Sequence, residues 1–166
     1  MRAGRPLPLL LIGLMLASCA SAPPSRNDTA LLDDVERRTF LFFWELADPN
    51  TKLIPDRAPT PSFSSIAAVG FGLTAYGIGA HRGYVTREQA AERTLATLQP
   101  LLAMKQGAEE SGVAGYRGFY YHFLDMKTGD RFKTVELSTV DTALLLAGAL
   151  FFLEILSRYT IFRSIP

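Results

Sequence analysis

Ser138-Thr139-Val140-Asp141-Thr142-Ala143-Leu144-Leu145-Leu146-Ala147-Gly148-Ala149-Leu150-Phe151-Phe152 is the stretch on which the fold turns. Ser138 is a good N-cap, and Asp141, three places on, puts an acid in the first turn, where the helix dipole favours anions. From Ala143 to Phe152 the run is apolar on nearly every side, so this helix is expected to lie inside something larger. It is too short for a membrane span, which takes about 20 apolar residues.

Upstream, Phe119 to Asp125 alternates, and Thr128-Gly129-Asp130 turns it back into Arg131 to Leu137, a short hairpin. Gly107 to Gly118 reads as a glycine-rich loop before it. Thr86 with Gln89 forms a capping box and opens a helix to about Lys105, with Ala90, Leu95, Leu98, Leu101 and Leu102 as its expected buried stripe. A further helix spans roughly Ile66 to Gly79, with Ser62, Ser64 and Ser65 as possible caps. Its Gly70, Gly72, Gly77 and Gly79 each cost about 1 kcal/mol against Ala. Tolerating them requires close helix–helix contact or a nearby site that a side chain would obstruct. The first helix starts near Thr29, carries Leu32, Val35, Phe42, Phe43 and Leu46 at helical spacing, and stops at Asp48-Pro49-Asn50. A proline-rich loop, Thr51 to Pro61, follows it. Four helices and one hairpin make the chain mostly α.

Composition narrows the function classes. Among 166 residues, 17 Lys and Arg balance 16 Asp and Glu, leaving a net charge of +1. That balance argues against nucleic acid, which demands clustered positive charge. One Cys excludes an internal disulfide, and with two His no metal site is expected. Gly70-Phe71-Gly72 lacks the strand and third glycine of a dinucleotide loop, and no cofactor is expected.

The amino terminus has its own logic. Two arginines in Met1 to Arg5, an apolar run from Leu7 to Leu16 and small residues before Cys19 form the three-part layout of an export signal. Leu16-Ala17-Ser18-Cys19 resembles the lipobox of bacterial lipoproteins. The resemblance implies a signal peptide over residues 1–18, lipidation at Cys19, a flexible tether over 19–28 and anchoring to a membrane. Ala20 after the Cys gives no inner-membrane retention signal, so the outer membrane, facing the periplasm, is the expected location.

Phe43-Trp44-Glu45, Pro55-Asp56-Arg57, Ser65-Ile66-Ala67-Ala68-Val69-Gly70-Phe71-Gly72-Leu73, Arg82-Gly83-Tyr84, Arg87-Glu88-Gln89-Ala90, Gly118-Phe119-Tyr120-Tyr121-His122-Phe123-Leu124-Asp125 and Glu136-Leu137-Ser138-Thr139-Val140-Asp141-Thr142-Ala143 together resemble one family. It is the bacterial glucoamylase-like family, which includes endo-β-1,2-glucanases and a domain of cyclic β-glucan synthases. The resemblance covers residues 29–152 and implies the N-terminal portion of an (α/α)6 barrel, two concentric rings of helices with a sugar cleft at one end. It also implies inverting hydrolysis of a β-glucan, oligosaccharide or polysaccharide.

Inversion takes one carboxylic acid and one carboxylate, roughly 6.5–9.5 Å apart, the second activating water. Glu136 and Asp141, at a strand-to-helix junction, are the candidate catalytic pair, although Asp141 also suits a plain helix N-terminus. Asp56 and Arg57 are candidate sugar-hydroxyl ligands, or else a surface ion pair. Tyr120, Tyr121 and His122 are candidate cleft residues, aromatic faces suiting pyranose rings, or else a covered core edge. Trp44 reads as core.

After Phe152 the resemblance stops. Residues 153–166 read as a divergent tail, the mark of a truncation or frameshift. On that reading the chain alone is marginally folded and catalytically silent. A non-catalytic envelope lipoprotein that binds glycan or a protein partner is the alternative.

Overall fold

The computed structural model describes residues 26–163, so the leader and Cys19 lie outside the described residues. The chain divides into a unit ending at Asp34 and a second running from Val35. In the first, the described residues are Arg26–Asp34, helical and exposed.

Among the described residues there are four helices: α1 Arg26–Glu45, α2 Ile66–Arg82, α3 Arg87–Ala103 and α4 Thr139–Arg163. Helix α1 therefore begins within the stretch read as tether, and α4 continues beyond Phe152 without a break. No helix among the described residues is long and apolar enough to cross a membrane.

Helices α2 and α4 form the centre of the second unit. Gly70 and Gly148 make their close approach possible, because a Cβ on either would strike the backbone of the other helix. Gly77 and Gly79 likewise face side chains of neighbouring helices, Ile155 and Phe40, whereas Gly72 makes room for Ile54 of the loop after α1. On either side of this crossing, Val69, Leu73 and Tyr76 of α2 and Leu145 and Phe152 of α4 are buried, with Leu53, Ile54 and Leu124 completing the core. The rest of α4 differs from the expectation of all-round burial. Val140, Leu146, Leu150 and Leu153 are exposed, because only the face carrying Leu145, Gly148 and Phe152 meets α2.

Helix α3 opens with the expected capping box, Thr86 Oγ1 accepting from Gln89 N–H and Gln89 Oε1 accepting from Thr86 N–H. Its buried face is Ala90, Thr94, Thr97 and Leu101, spaced at one helical turn. Leu95 and Leu102 fall off that face and are exposed, which corrects the expected leucine stripe. In α1 the buried residue is Phe40, while Leu32 and Val35, and Leu46 just past its end, are exposed. Trp44 is partly buried against the core, edge-on to Tyr76, with the Arg93 guanidinium 4.4 Å above its ring.

The strands are short: β1 Ser64–Ser65, β2 Gly115–Tyr116, β3 Phe119–Tyr121, β4 Phe123–Leu124 and β5 Leu137–Ser138. β1 pairs antiparallel with β4, Ser65 opposite Phe123. A second sheet runs β2-β3-β5, with Tyr120 opposite both Gly115 and Ser138. The end of the glycine-rich loop is therefore a strand. Its hairpin turns through Arg117 and Gly118, both at positive φ, as a two-residue turn between twisted strands requires. The expected hairpin after Asp125 survives as a single bridge, Leu124 to Arg131. The chain then leaves the ladder, with Lys133 at φ 54°, and returns as β5 beside β3.

Candidate functional site

β3, β4, β5 and the starts of α2 and α4 converge on His122. Its backbone N–H donates to the Glu136 carbonyl at 2.9 Å, and its carbonyl accepts from Ile66 N–H at 3.2 Å. These bonds fix the residue between the return of the chain into β5 and the first turn of α2. Its ring stacks on Phe123 with centroids 3.8 Å apart.

Both ring nitrogens face carboxylates. Nδ1 lies 2.7 Å from Glu136 Oε1 and Nε2 lies 3.7 Å from Asp141 Oδ1. The first is a hydrogen bond; the second is too long for one. Glu136 is well exposed, and its own backbone N–H, followed by His122, holds its carboxyl below the usual range. At neutral pH it is ionised.

Asp141 is nearly buried and meets hydroxyl donors. Ser65 Oγ donates to Oδ1 at 3.2 Å and Ser138 Oγ donates to Oδ2. Ser138 Oγ also accepts from Asp141 N–H at 3.1 Å, so Ser138 is the N-cap expected from sequence. The helix-terminal role of Asp141 and its position beside His122 are thus realised together. The sequence offers Ser65, with Ser62 and Ser64, as a possible cap of α2. Ser65 makes no side-chain cap there and instead spans 76 positions to reach Asp141. Only its place in one of the resemblance phrases pointed to it.

The other candidates are arranged differently. Tyr120 and Tyr121 are buried, their hydroxyls donating to the carbonyls of Leu101 at 2.8 Å and Gly107 at 3.3 Å. Burial raises the Tyr120 phenol above its ordinary pKa. Both rings serve the packing between the β2-β3-β5 sheet and its surroundings. Asp56 and Arg57 form an ion pair of 2.8 Å, with Arg57 exposed and its guanidinium 5.6 Å above Phe63. The structure therefore brings Glu136, His122 and Asp141 into one cluster and sets Asp56 and Arg57 apart from it. Among the described residues no group of His, Cys, Asp and Glu has the arrangement of a metal site.

No protein-family model matches the chain. A curated relative, the exo β-1,2-glucooligosaccharide sophorohydrolase (non-reducing end) of Parabacteroides distasonis, is 31% identical over 133 residues, covering 75% of this chain and 17% of that protein. A candidate glucoamylase from Bacteroides uniformis is similar in structure, with a TM-score of 0.62 and 29% identity, covering 78% of this chain and 31% of that one. A β-1,2-glucanase from Parabacteroides distasonis gives a TM-score of 0.59 and 29% identity, over 78% of this chain and 18% of that one. The chain thus spans a third or less of the length of these relatives. The mostly helical architecture expected of a barrel segment agrees with these likenesses. Over about three quarters of its own length the chain is thus similar to proteins named as glucoamylases and as β-1,2-glucan hydrolases.

Proposed function

We propose that this chain contributes to the substrate cleft of an inverting β-1,2-glucan hydrolase, with Glu136 and Asp141 as its carboxyl pair, His122 hydrogen-bonded to the first, and Ser65 and Ser138 holding the second. The supporting observation is the imidazole held between the two acids, 2.7 Å from one and 3.7 Å from the other. Glu136, exposed and ionised, has the state a general base needs to draw a proton from water. Asp141, the nearly buried carboxyl of the pair, takes the acid side. The names of the relatives supply the β-1,2 linkage. Export with a lipid on Cys19, at the outer membrane facing the periplasm, completes the proposal and rests on the leader pattern alone.

Calorimetric titration with a β-1,2-linked glucooligosaccharide tests the site. Hydrogen bonds to charged groups are worth about 1.5–3 kcal/mol, so His122→Ala and Glu136→Gln should each weaken binding about tenfold or more. Affinities within twofold of the parent chain would contradict the assignment.

A further inference from the structure

Two kinds of linkage hold the carboxyl cluster together. Glu136 and His122 are joined directly, through the ring contact at 2.7 Å and the backbone bond at 2.9 Å. Asp141 has no such bond to His122, since 3.7 Å is too long for one. Asp141 stands on α4 and His122 follows β3, so their separation depends on how the helix is seated on the strand. Thr142, the residue after Asp141, makes that seat. Its side chain is buried. Its Oγ1 accepts from Tyr120 N–H at 2.9 Å and donates to the Ser138 carbonyl at 2.7 Å. A strand donor is thus satisfied by a helix side chain, with both the donor and the acceptor capacity of the hydroxyl in use. The line of bonds reaches the cluster at both ends. Tyr120 lies two residues before His122, and Ser138 donates through its own Oγ to Asp141 Oδ2.

Resting on the reading of the cluster given above, we infer that Thr142 is a positioning residue, whose hydroxyl sets the separation of the His122 imidazole and the Asp141 carboxyl on which glucan binding depends. Ser65 and Ser138 orient the Asp141 carboxylate itself, whereas Thr142 sets where the first turn of α4 stands beside β3. Val in its place would leave the Tyr120 N–H buried and unpaired. The strand recovers a partner only by shifting, and His122 shifts with it. Linkage requires the converse as well: a ligand held at both His122 and Asp141 strengthens the Tyr120–Thr142 bond by the factor that the bond lends to binding.

Calorimetric titration of the full chain with a β-1,2-linked glucooligosaccharide tests this. Thr142→Val should bind about fivefold more weakly or worse, and Thr142→Ser, which keeps the hydroxyl, within about twofold of the parent. Thr97→Val controls for stability alone. Thr97 is also buried and donates to the Arg93 carbonyl at 2.9 Å, the same bond to the residue four places back, but on α3. Its loss should leave affinity within about twofold. Without ligand, Asp141→Asn should move the His122 ring signals, and on a Thr142→Val background should move them about half as far or less. A threonine that serves folding alone would leave that coupling as it is. Amide exchange in the parent chain gives a measurement that needs no variant. Saturating oligosaccharide should slow exchange of Tyr120 N–H about fivefold and leave Gln89 N–H, in the capping box of α3, unchanged. Parent-like affinity in Thr142→Val, equal weakening in Thr97→Val, an undiminished shift of His122 on the Val background, or Tyr120 exchange indifferent to ligand would each overturn the role of Thr142 and leave the cluster standing. If the parent chain does not bind the oligosaccharide, the reading of the cluster fails, and the role of Thr142 fails with it.

Discussion

A Cβ atom on Gly148 would lie 2.0 Å from the carbonyl oxygen of Gly70, so α2 and α4 touch backbone to backbone at their crossing. Backbone cannot rotate aside as a side chain can. Gly148→Ala gains about 1 kcal/mol of helix propensity and loses more to overpacking, which costs about 1–3 kcal/mol or more where nothing yields. The net effect should be a lower melting temperature. Gly77→Ala meets the Ile155 Cδ1 at 2.9 Å, the end of a flexible side chain, with Phe152 and Phe151 at ordinary contact distance, and should be close to neutral. Thermal melts of the two variants check the contrast.

The outer face of α4 makes a second case. Leu146 and Leu150 are 58% and 66% exposed, with Leu153 and Val140 on the same helix also open. Contiguous apolar surface favours association. The double variant Leu146→Lys, Leu150→Lys should shift the chain toward monomer in sedimentation velocity at a given concentration, with the helical signal unchanged. Identical sedimentation would show that this face is not what associates.

Much of this was legible in the sequence, but not evenly. The capping box at Thr86, the cap at Ser138 and the glycine contact of α2 are local signals, and they hold. The stripe of α3 misled because Leu95 and Leu102 are more apolar than Thr94 and Thr97, whereas burial follows helical spacing and not residue type. Glu136, His122 and Asp141 could be named because they stand in recognisable phrases. The Ser65 bond to Asp141 depends on strand pairings between distant segments, which no local pattern encodes. Tyr120 and Tyr121 illustrate the same limit, since the carbonyls that bind their hydroxyls lie outside the hairpin.

Acid should weaken the loop after α1. Burial pushes the Asp48 carboxyl up, but Lys127, at 2.6 Å, and the N–H groups of Asn50 and Thr51 outweigh it, so its pKa lies below the ordinary value of 3.8. A depressed carboxyl contributes stability that is fully present above its unfolded value and lost as pH falls through the folded one. Asp48→Asn should therefore destabilise the chain at pH 7 and cost much less near pH 2. Denaturant midpoints measured at both values test this; an equal loss at both would assign the effect to shape alone.

Export gives a separate test. If Cys19 carries the anchor, labelled fatty acid should enter the parent chain in a bacterial host and be absent from Cys19→Ser. Equal labelling of the two would remove the anchor from the proposal.

The central claim is that the Glu136–His122–Asp141 cluster recognises β-1,2-linked glucan. Calorimetric titration of the chain with a β-1,2-linked and an α-1,4-linked glucooligosaccharide of equal length measures it most directly. Saturable binding of the β-1,2 oligomer is expected, at least tenfold tighter than the α-1,4 oligomer and lost in Asp141→Asn. Equal affinities, preference for the α-1,4 oligomer, or binding that survives Asp141→Asn unchanged would contradict it.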